Sequence, residues 1–270
     1  MIDILLSTYN SEKYLEEQIN SIINQSNEGW NLLIRDDGSS DNTLQIISKY
    51  IDRFSTKIFL TSSGENIGIV KSYETLLRES KSEYVMFCDH DDVWLPDKIQ
   101  LTLDKMTEKE KENPNQPILI HTDLKIVDNR LNEIHSSFWK LLKIKPSKLT
   151  DFNLLSVYNY VTGCTVMINK EAKRIVLPFA DCVRMHDYWI ALCVAKSGII
   201  DVVNRQTILY RQHSENELGV RNLKVGFSLK KIINENTKQI NMLQKLGEVS
   251  ITKYLLYKFI FFKKRIWYRL

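Results

Sequence analysis

An acidic cluster follows one of the apolar runs of the sequence. Asp89-His90-Asp91-Asp92 comes directly after 84–88, a run typical of a buried strand. Carboxylates two residues apart in a turn can converge on one divalent cation, and oxygen ligands of this kind suit Mg²⁺ or Mn²⁺. The same cluster is also typical of a solvated loop before a helix, here the helix expected after Pro96. The residues alone therefore leave both interpretations open.

Two further polar turns follow the first two apolar runs. Ser7-Thr8-Tyr9-Asn10 comes after 2–6, and Asp36-Asp37-Gly38-Ser39 comes after 30–34. A carboxylate at the end of a strand can accept the ring N–H of a pyrimidine, and a tyrosine ring can stack on that base. The alternative is structural, because the glycine can permit a tight turn and the serine can cap the next helix.

Apolar runs and helical patterns alternate at the spacing of βαβ units over about the first 90 residues. This alternation predicts an α/β fold with a mostly parallel sheet and helices on both of its faces. The carboxyl ends of parallel strands meet at one edge, so we expect the three polar turns to lie there together. Beyond the charged segment Glu108–Asn115, the sequence predicts strands at 118–123, 160–169 and 202–210 and a helix at 189–194.

The size and the cysteine pattern indicate one core in a reducing compartment. The chain has 270 residues, 43% of them hydrophobic, and its four cysteines are widely spaced without a C-x-x-C pair. These features argue against a disulfide framework or a zinc site. We expect one domain built from two halves, 1–115 and 116–220, followed by a helical tail, 221–270. With no apolar run long enough to span a bilayer and no basic segment before the first apolar run, we expect a cytoplasmic protein.

The tail carries the positive charge of the chain. Residues 221–270 hold 12 Lys/Arg and two Asp/Glu, whereas the preceding 220 residues hold 25 basic and 31 acidic side chains. An acidic body argues against nucleic acid as a partner. Basic and aromatic residues interleave in the last 18 positions, which suits an anionic membrane surface at the inner face of the plasma membrane. Packing of the aromatic face on the domain or on a second subunit remains the alternative.

Taken in order, the motifs resemble the inverting family 2 glycosyltransferases with the GT-A fold. The resemblance covers residues 1–216 and rests on the three polar turns together with Asn66-x-Gly68. Two later motifs, His186-Asp187-Tyr188-Trp189 and Tyr210-Arg211-Gln212-His213, are similar to the rhamnosyltransferase branch. The resemblance implies a Rossmann-like, mostly parallel sheet flanked by helices, in which 1–115 binds a nucleotide sugar and 116–220 binds the acceptor.

The resemblance also implies a role for each matched residue. Asp91 would bind a Mg²⁺ or Mn²⁺ ion that bridges the donor diphosphate, His213 would complete the metal or diphosphate site, and Asp187 would be the general base. The tyrosine of the first turn and one aspartate of the second would hold the nucleobase. The implied donor-binding residues are Thr8, Tyr9, Asp36, Asp37, Asn66, Gly68, Lys71, Asp89 and His90.

One departure concerns the nucleobase contact. Family members often carry Ala-Arg-Asn a few residues after the Asn-x-Gly motif, and this chain has Ser72-Tyr73-Glu74 there. Lys71 or Tyr73 is the expected substitute for the missing arginine. The acidic motif also has His90 where related sequences commonly have glutamine.

The activity implied by the resemblance is inverting sugar transfer from a nucleoside diphosphate donor, dTDP-rhamnose first and a UDP-sugar second. The acceptor would be a saccharide or lipid-linked saccharide of a bacterial surface polysaccharide. A sugar nucleotidyltransferase is disfavoured because no Gly-rich triphosphate loop follows the first strand. A dinucleotide oxidoreductase is disfavoured because G-x-G-x-x-G is missing. A non-catalytic module that binds nucleotide or carbohydrate is the remaining alternative.

Overall fold

The structure, a computed structural model, describes residues 1–213, 239–247 and 251–267. Its strands are β1 (Ile2–Thr8), β2 (Trp30–Asp36), β3 (Ile58–Ser63), β4 (Tyr84–Cys88), β5 (Val93–Trp94), β6 (Ile118–Val127), β7 (Glu133–His135), β8 (Val166–Asn169) and β9 (Ile199–Arg211). Its helices are α1 (Leu15–Ile23), α2 (Thr43–Arg53), α3 (Ile69–Glu79), α4 (Lys98–Glu112), α5 (Phe138–Leu142), α6 (Phe152–Val157), α7 (Lys170–Val176), α8 (His186–Ser197), α9 (239–245) and α10 (Ile251–Trp267).

One sheet joins all nine of these strands. Its order is β3-β2-β1-β4-β8-β6-β9-β5, with β7 paired to β6. The strands β1, β2, β3 and β4 run parallel, as do β6 and β9, while β8 runs antiparallel between β4 and β6. The predicted α/β class with a mostly parallel sheet is confirmed.

The two faces of the sheet bury separate cores. Successive side chains of a strand point to opposite faces, so Leu5 packs with α3 and α8, whereas Leu6 packs with α1 and α4. Both leucines are fully buried. Burying such a side chain contributes about 1.5–3 kcal/mol, and the alternation therefore fixes which helices cover which face.

One predicted strand is shorter than expected. The sequence predicts a strand over 160–169, but β8 begins only at Val166, and Gly163–Thr165 forms a 3₁₀ turn. The prediction is wrong for residues 160–165, because the Gly163 N–H donates to the side chain of Asp187 at the start of α8 instead of to a neighbouring strand.

The C-terminal helix α10 lies against the domain. Tyr254 and Phe261 are buried, and the Phe261 ring stacks on Tyr158 beside α6 with ring centroids 4.8 Å apart. The opposite face of α10 leaves Leu255, Leu256 and Phe259 exposed. Among the described residues, no helix is both long and apolar enough to cross a membrane. The predicted tail residues 221–238 lie outside the described part of the chain.

Candidate active site

The three polar turns lie together at the carboxyl edge of the parallel strands. Thr8, the last residue of β1, pairs in register with Asp36, the last residue of β2. On its other side β1 pairs with β4, whose last residue, Cys88, precedes the acidic motif. The parallel register therefore brings to one edge the turns that the sequence separates by up to 80 residues.

The Asp36 carboxylate accepts four hydrogen bonds, one from Thr8 of β1 and three from its own turn. Oδ1 accepts the hydroxyls of Thr8 at 3.0 Å and Ser39 at 2.6 Å. Oδ2 accepts the backbone N–H groups of Gly38 at 3.2 Å and Ser39 at 2.9 Å. A carboxylate offers about four acceptor positions, so Asp36 shapes the turn and keeps none for a ligand.

The Asp37 carboxylate keeps one acceptor position. Oδ1 accepts Arg35 Nη1 at 2.5 Å and the Ile67 N–H at 2.8 Å, while Oδ2 accepts only the Gly68 N–H at 2.9 Å. Asp37 thus ties the end of β2 to the loop before α3. Gly38 makes the close approach possible, since its φ is +84° and an added Cβ would lie 2.5 Å from the Gly64 carbonyl oxygen.

Arg35 is a residue that the sequence analysis missed. Its buried guanidinium pairs with Asp37, donates to Ser72 Oγ at 2.8 Å and reaches the Glu65 carbonyl at 3.1 Å. Ser72 belongs to the segment in which family members often have an arginine. Arg35 of β2 places its guanidinium next to this segment through its hydrogen bond to Ser72. The signal available in the sequence was an arginine directly after the apolar run 30–34, at a position that continues the same strand.

Four other predicted donor-binding residues surround this edge. Tyr9 is 49% exposed, Asn66 is exposed, and His90 is half-buried. Lys71 pairs with Glu74, with Nζ and Oε2 2.9 Å apart, and keeps about half of its side chain exposed. All four are accessible to a ligand at the strand ends.

The acidic motif is fixed from two sides. Tyr73 Oη donates to Asp89 Oδ1 at 3.2 Å from α3, and the Arg211 N–H donates to Asp92 Oδ1 at 3.0 Å from β9. The fully buried Arg211 side chain also donates to the Asp91 carbonyl at 2.8 Å and pairs with Glu17 of α1. The sequence analysis named Arg211 within the Tyr210–His213 motif but gave it no role in organising the site.

The three carboxyls of the motif differ in their proton affinity. Burial and the charge of Asp91 raise the pKa of Asp89 to about 6. Burial would also raise the pKa of Asp91, but the hydrogen bond from His213 and the charges of His90 and His213 outweigh it and lower that pKa. Burial and the two neighbouring carboxylates hold the pKa of Asp92 well above its ordinary value. Asp91 is therefore the carboxyl that stays ionised most readily.

Asp187 lies in the first turn of α8. Its Oδ2 accepts the Gly163 N–H at 3.1 Å and its Oδ1 accepts the Tyr188 N–H at 2.5 Å. Burial, with a further contribution from the charge of Asp89, raises the pKa of Asp187 to about 7. Because Asp89 interacts with both Asp91 and Asp187, the three carboxyls belong to one electrostatic site.

His186 supports both sides of this site. Its ring lies 3.9 Å from the ring of Tyr73, centroid to centroid, and the Tyr73 hydroxyl lies 2.8 Å from the Cys88 carbonyl oxygen and 3.2 Å from Asp89 Oδ1. An added Cβ on Gly163 would lie 2.7 Å from His186 Nε2, so a larger residue at that turn would have to displace the His186 ring. Burial lowers the pKa of His186 to about 3, and the imidazole is neutral at physiological pH.

Within the described residues, two groups of side chains are candidate metal ligands. Ligand atoms of Asp89, Asp92 and Cys164 lie within 4.8 Å of one another. Burial and the two carboxylates keep the pKa of Cys164 well above its ordinary value, and the buried ammonium of Lys98 acts on the same thiol. A protonated thiol beside a cation is a poor ligand for Mg²⁺ or Mn²⁺.

The second group is Asp91 with His213. Asp91 Oδ2 and His213 Nε2 lie 2.8 Å apart, and both side chains are largely buried. In this structure the two atoms form a hydrogen bond. Two ligands at right angles on an ion with bonds of about 2.1 Å would also lie roughly 3 Å apart, so a cation that replaces the shared proton could be bound by both side chains.

Comparisons with known proteins agree with this architecture. A family model described as glycosyl transferase family 2 matches residues 3–175. The Staphylococcus aureus TarS 1–349 structure in complex with UDP-GlcNAc superposes with a TM-score of 0.57 at 19% identity, covering 84% of this chain and 62% of that chain. This chain thus spans about three fifths of that structure. The likeness confirms the predicted GT-A fold.

Two curated relatives are similar over most of the chain. The UDP-Glc:alpha-D-GlcNAc-diphosphoundecaprenol beta-1,3-glucosyltransferase WfgD of Escherichia coli is 27% identical over 206 residues, 76% of this chain and 73% of the relative. The dTDP-rhamnosyl transferase RfbG of Shigella flexneri is 28% identical over 229 residues, 79% of this chain and 73% of the relative. The relatives therefore do not single out the rhamnosyltransferase branch. Because the family model matches well over half of the sequence, this chain belongs to glycosyl transferase family 2.

Proposed function

We propose that this protein transfers a sugar from a nucleoside diphosphate donor to a hydroxyl of a saccharide acceptor, with inversion, in bacterial surface polysaccharide synthesis. The observation that carries the proposal is the link between the acidic motif and Asp187. Tyr73 Oη lies 3.2 Å from Asp89 Oδ1, and the Tyr73 ring lies 3.9 Å, centroid to centroid, from the ring of His186, the residue before Asp187. Asp91, whose pKa is lowered, is suited to binding a metal ion. Asp187, with a pKa of about 7, is suited to accepting a proton.

The proposed donor is dTDP-rhamnose, with a UDP-sugar as the alternative. Support comes from relatives whose names specify a dTDP-rhamnosyl and a UDP-Glc enzyme, and from the TarS complex with UDP-GlcNAc. Both nucleotides carry a pyrimidine with a ring N–H. Asp37 is the better acceptor for that N–H, because its Oδ2 accepts one protein hydrogen bond whereas Asp36 is saturated. The exposed Tyr9 ring is available for stacking on the base.

The proposed metal ligands are Asp91 and His213, whose spacing fits a single Mg²⁺ or Mn²⁺ ion. When bound, such an ion neutralises charge on the departing diphosphate. Asp89 and His90 precede Asp91 in the same turn, and we propose that they contact the ribose or phosphates of the donor.

The proposed general base is Asp187. Its carboxylate takes the proton of the acceptor hydroxyl as the oxygen forms its bond to the anomeric carbon and the bond from that carbon to the diphosphate breaks. A single in-line displacement inverts the anomeric centre and needs no covalent sugar–enzyme intermediate. Help of this kind is worth about 10²–10⁴-fold in rate.

The test is a donor panel that includes dTDP-rhamnose, UDP-Glc and UDP-GlcNAc, assayed for release of nucleoside diphosphate with Mn²⁺, with Mg²⁺ and with EDTA. We expect release from one donor, and loss of that release in Asp187→Asn while donor binding by calorimetry persists. Binding without release from any donor, with several saccharide acceptors present, favours the non-catalytic binding module instead.

We also propose that the outer face of α10 binds an anionic membrane surface, where a lipid-linked acceptor resides. Leu255, Leu256 and Phe259 form an exposed apolar face, and the sequence of α10 contains five basic and no acidic residues. An amphipathic helix with this composition buries its apolar face in the headgroup region while its basic residues attract anionic lipids. We therefore propose that the protein acts at the cytoplasmic face of the plasma membrane.

A further inference from the structure

The residue that follows Asp187 is tied to the C-terminal segment of the chain. Gln239 of α9 donates through Nε2 to Tyr188 Oη at 2.6 Å and to the Ser156 carbonyl at 2.6 Å. Gln239 lies 51 positions after Tyr188 in the sequence and belongs to a helix outside the residues matched by the family model. This contact is therefore a long-range link between the tail and the first turn of α8.

Tyr188 in turn anchors α8 on the end of α6. Its hydroxyl lies 2.7 Å from the Ser156 carbonyl and 3.1 Å from the Leu155 carbonyl. The last carbonyls of a helix have no partner within the helix, so such a hydroxyl satisfies them from outside. The backbone N–H of Tyr188 donates to Asp187 Oδ1. Side chain and backbone of one residue thus connect the α6 terminus to the Asp187 carboxylate.

The helix α10 holds the Gln239 amide in its orientation. Tyr254 Oη, on the buried face of α10, donates to Gln239 Oε1 at 3.2 Å, and Lys258 Nζ donates to Tyr254 Oη at 3.3 Å. With Oε1 accepting from Tyr254, Nε2 is directed towards Tyr188 and Ser156. The glutamine therefore uses both ends of its amide, one towards α10 and the other towards α8.

We propose that Gln239 is a positioning residue for the general base, and that α9 and the buried face of α10 belong to the catalytic apparatus. The inference rests on the assignment of Asp187 as the base. Removing the amide leaves the Tyr188 hydroxyl and the α6 terminus with fewer partners, which loosens the first turn of α8. Displacement of a catalytic group by even about 1 Å can cost up to roughly 100-fold in rate, while the donor site at the β1 and β2 ends is untouched.

The experiment compares Gln239→Leu with Gln244→Leu in the full-length protein. Gln244 is a matched control, because it is the same residue type in the same helix and is exposed. The assay follows release of nucleoside diphosphate from the donor that the panel identifies, and calorimetry gives the Kd of UDP and dTDP with Mn²⁺. We expect kcat of Gln239→Leu to fall about tenfold, with donor KM and nucleotide Kd within about twofold of the parent. Gln244→Leu should match the parent.

A second pair of variants tests whether the two residues act through the same link. Tyr188→Phe removes only the hydroxyl, and we expect the double variant Tyr188→Phe/Gln239→Leu to be no slower than the slower single variant. If Gln239→Leu does not fold, Tyr254→Phe removes the hydroxyl that orients the amide, and it should lower kcat about threefold at unchanged KM.

Equal kcat for Gln239→Leu and Gln244→Leu overturns the inference. So does a fall of kcat accompanied by an equal loss of nucleotide affinity, since that pattern indicates general unfolding of the site. Asp187→Asn is assayed in the same panel to separate the two proposals. Normal turnover of Asp187→Asn rejects the base assignment itself, whereas an inactive Asp187→Asn beside an unaffected Gln239→Leu rejects only the role of Gln239.

Discussion

Asp91 Oδ2 and His213 Nε2 lie 2.8 Å apart although 122 positions separate the two residues in the sequence. The contact joins the loop after β4 to the end of β9, and it is reinforced by Arg211, whose backbone and side chain hold the same loop. Binding of a cation by this pair would therefore depend on the correct packing of the β4 loop against the end of β9. If the metal assignment is right, changing either residue should weaken metal binding.

We expect Asp91→Asn and His213→Gln each to weaken Mn²⁺ binding at least tenfold, because each removes a ligand and the aspartate also supplies the charge. The measurement is Mn²⁺ titration by electron paramagnetic resonance, with and without UDP. Asp52→Asn, an exposed aspartate of α2, is the control and should bind like the parent. Unchanged Mn²⁺ affinity in both site variants would contradict the assignment and direct attention to Asp89, Asp92 and Cys164.

The proposed base predicts a pH dependence. Burial raises the pKa of Asp187 to about 7, and a general base works only in its ionised form. We therefore expect kcat to fall as the pH decreases below about 7, instead of below about 4 as for an ordinary aspartate. Asp89, whose pKa burial raises to about 6, adds to the loss at lower pH. Measuring kcat against pH at saturating donor concentration tests this fall. A constant kcat down to about pH 5 would contradict the prediction.

Gly163 predicts a steric effect on the same carboxylate. An added Cβ would lie 2.7 Å from His186 Nε2 and 3.4 Å from Asp187 Cβ, so Gly163→Ala must displace the first turn of α8. We expect kcat to fall about tenfold or more and the free energy of unfolding to fall by about 1–3 kcal/mol, as is typical of overpacking in a core. Steady-state kinetics and urea unfolding measure the two effects.

Gly29→Ala is the control for that variant. Its added Cβ would meet only the side-chain oxygen of Asn27 at 3.2 Å, and residue 29 precedes β2, at the opposite end of that strand from the polar turns. Gly29→Ala should therefore keep parental kcat. Parental kcat in Gly163→Ala as well would show that the backbone contact from residue 163 does not position Asp187.

The sequence was most informative where structure depends on local patterns. The alternation of apolar runs and helices predicted β1 to β4 and, from the rule that strand ends share an edge, the meeting of the three polar turns. It could not separate Asp36 from Asp37, because their difference lies in which of them accepts hydrogen bonds from its own turn. Pattern alone treats adjacent carboxylates alike.

Arg35 and Arg211 show a second limit of sequence reasoning. Each is a buried arginine whose partners come from distant segments, Ser72 for the one and Asp91 for the other. Nothing in the local pattern names such partners, because they are set by how the strands and helices pack. The strand predicted over 160–169 was wrong at residues 160–165 for a related reason, since the Gly163 N–H donates to Asp187, whereas residues 166–169 form β8.

The outer face of α10 predicts membrane binding that is separable from catalysis. Leu256 and Phe259 are 56% and 61% exposed, whereas the side chains that link α10 to α9 and α6 lie on the other face. The double variant Leu256→Ser/Phe259→Ser should lose roughly tenfold or more of its binding to vesicles of anionic phospholipid, because it removes the apolar area that enters the headgroup region. Vesicle flotation measures the loss, and turnover with a soluble acceptor should stay within about twofold of the parent.

A matched control for the membrane prediction is Ile134→Ser. Ile134 lies on β7 and is as exposed as Leu256, at 56%, so the variant removes one equally exposed apolar side chain away from α10. It should float with vesicles like the parent. Equal flotation of the double variant and the parent would instead favour a second protein subunit on this face. In that case the double variant should shift the oligomeric state measured by analytical ultracentrifugation, because the apolar side chains would then contact protein rather than lipid.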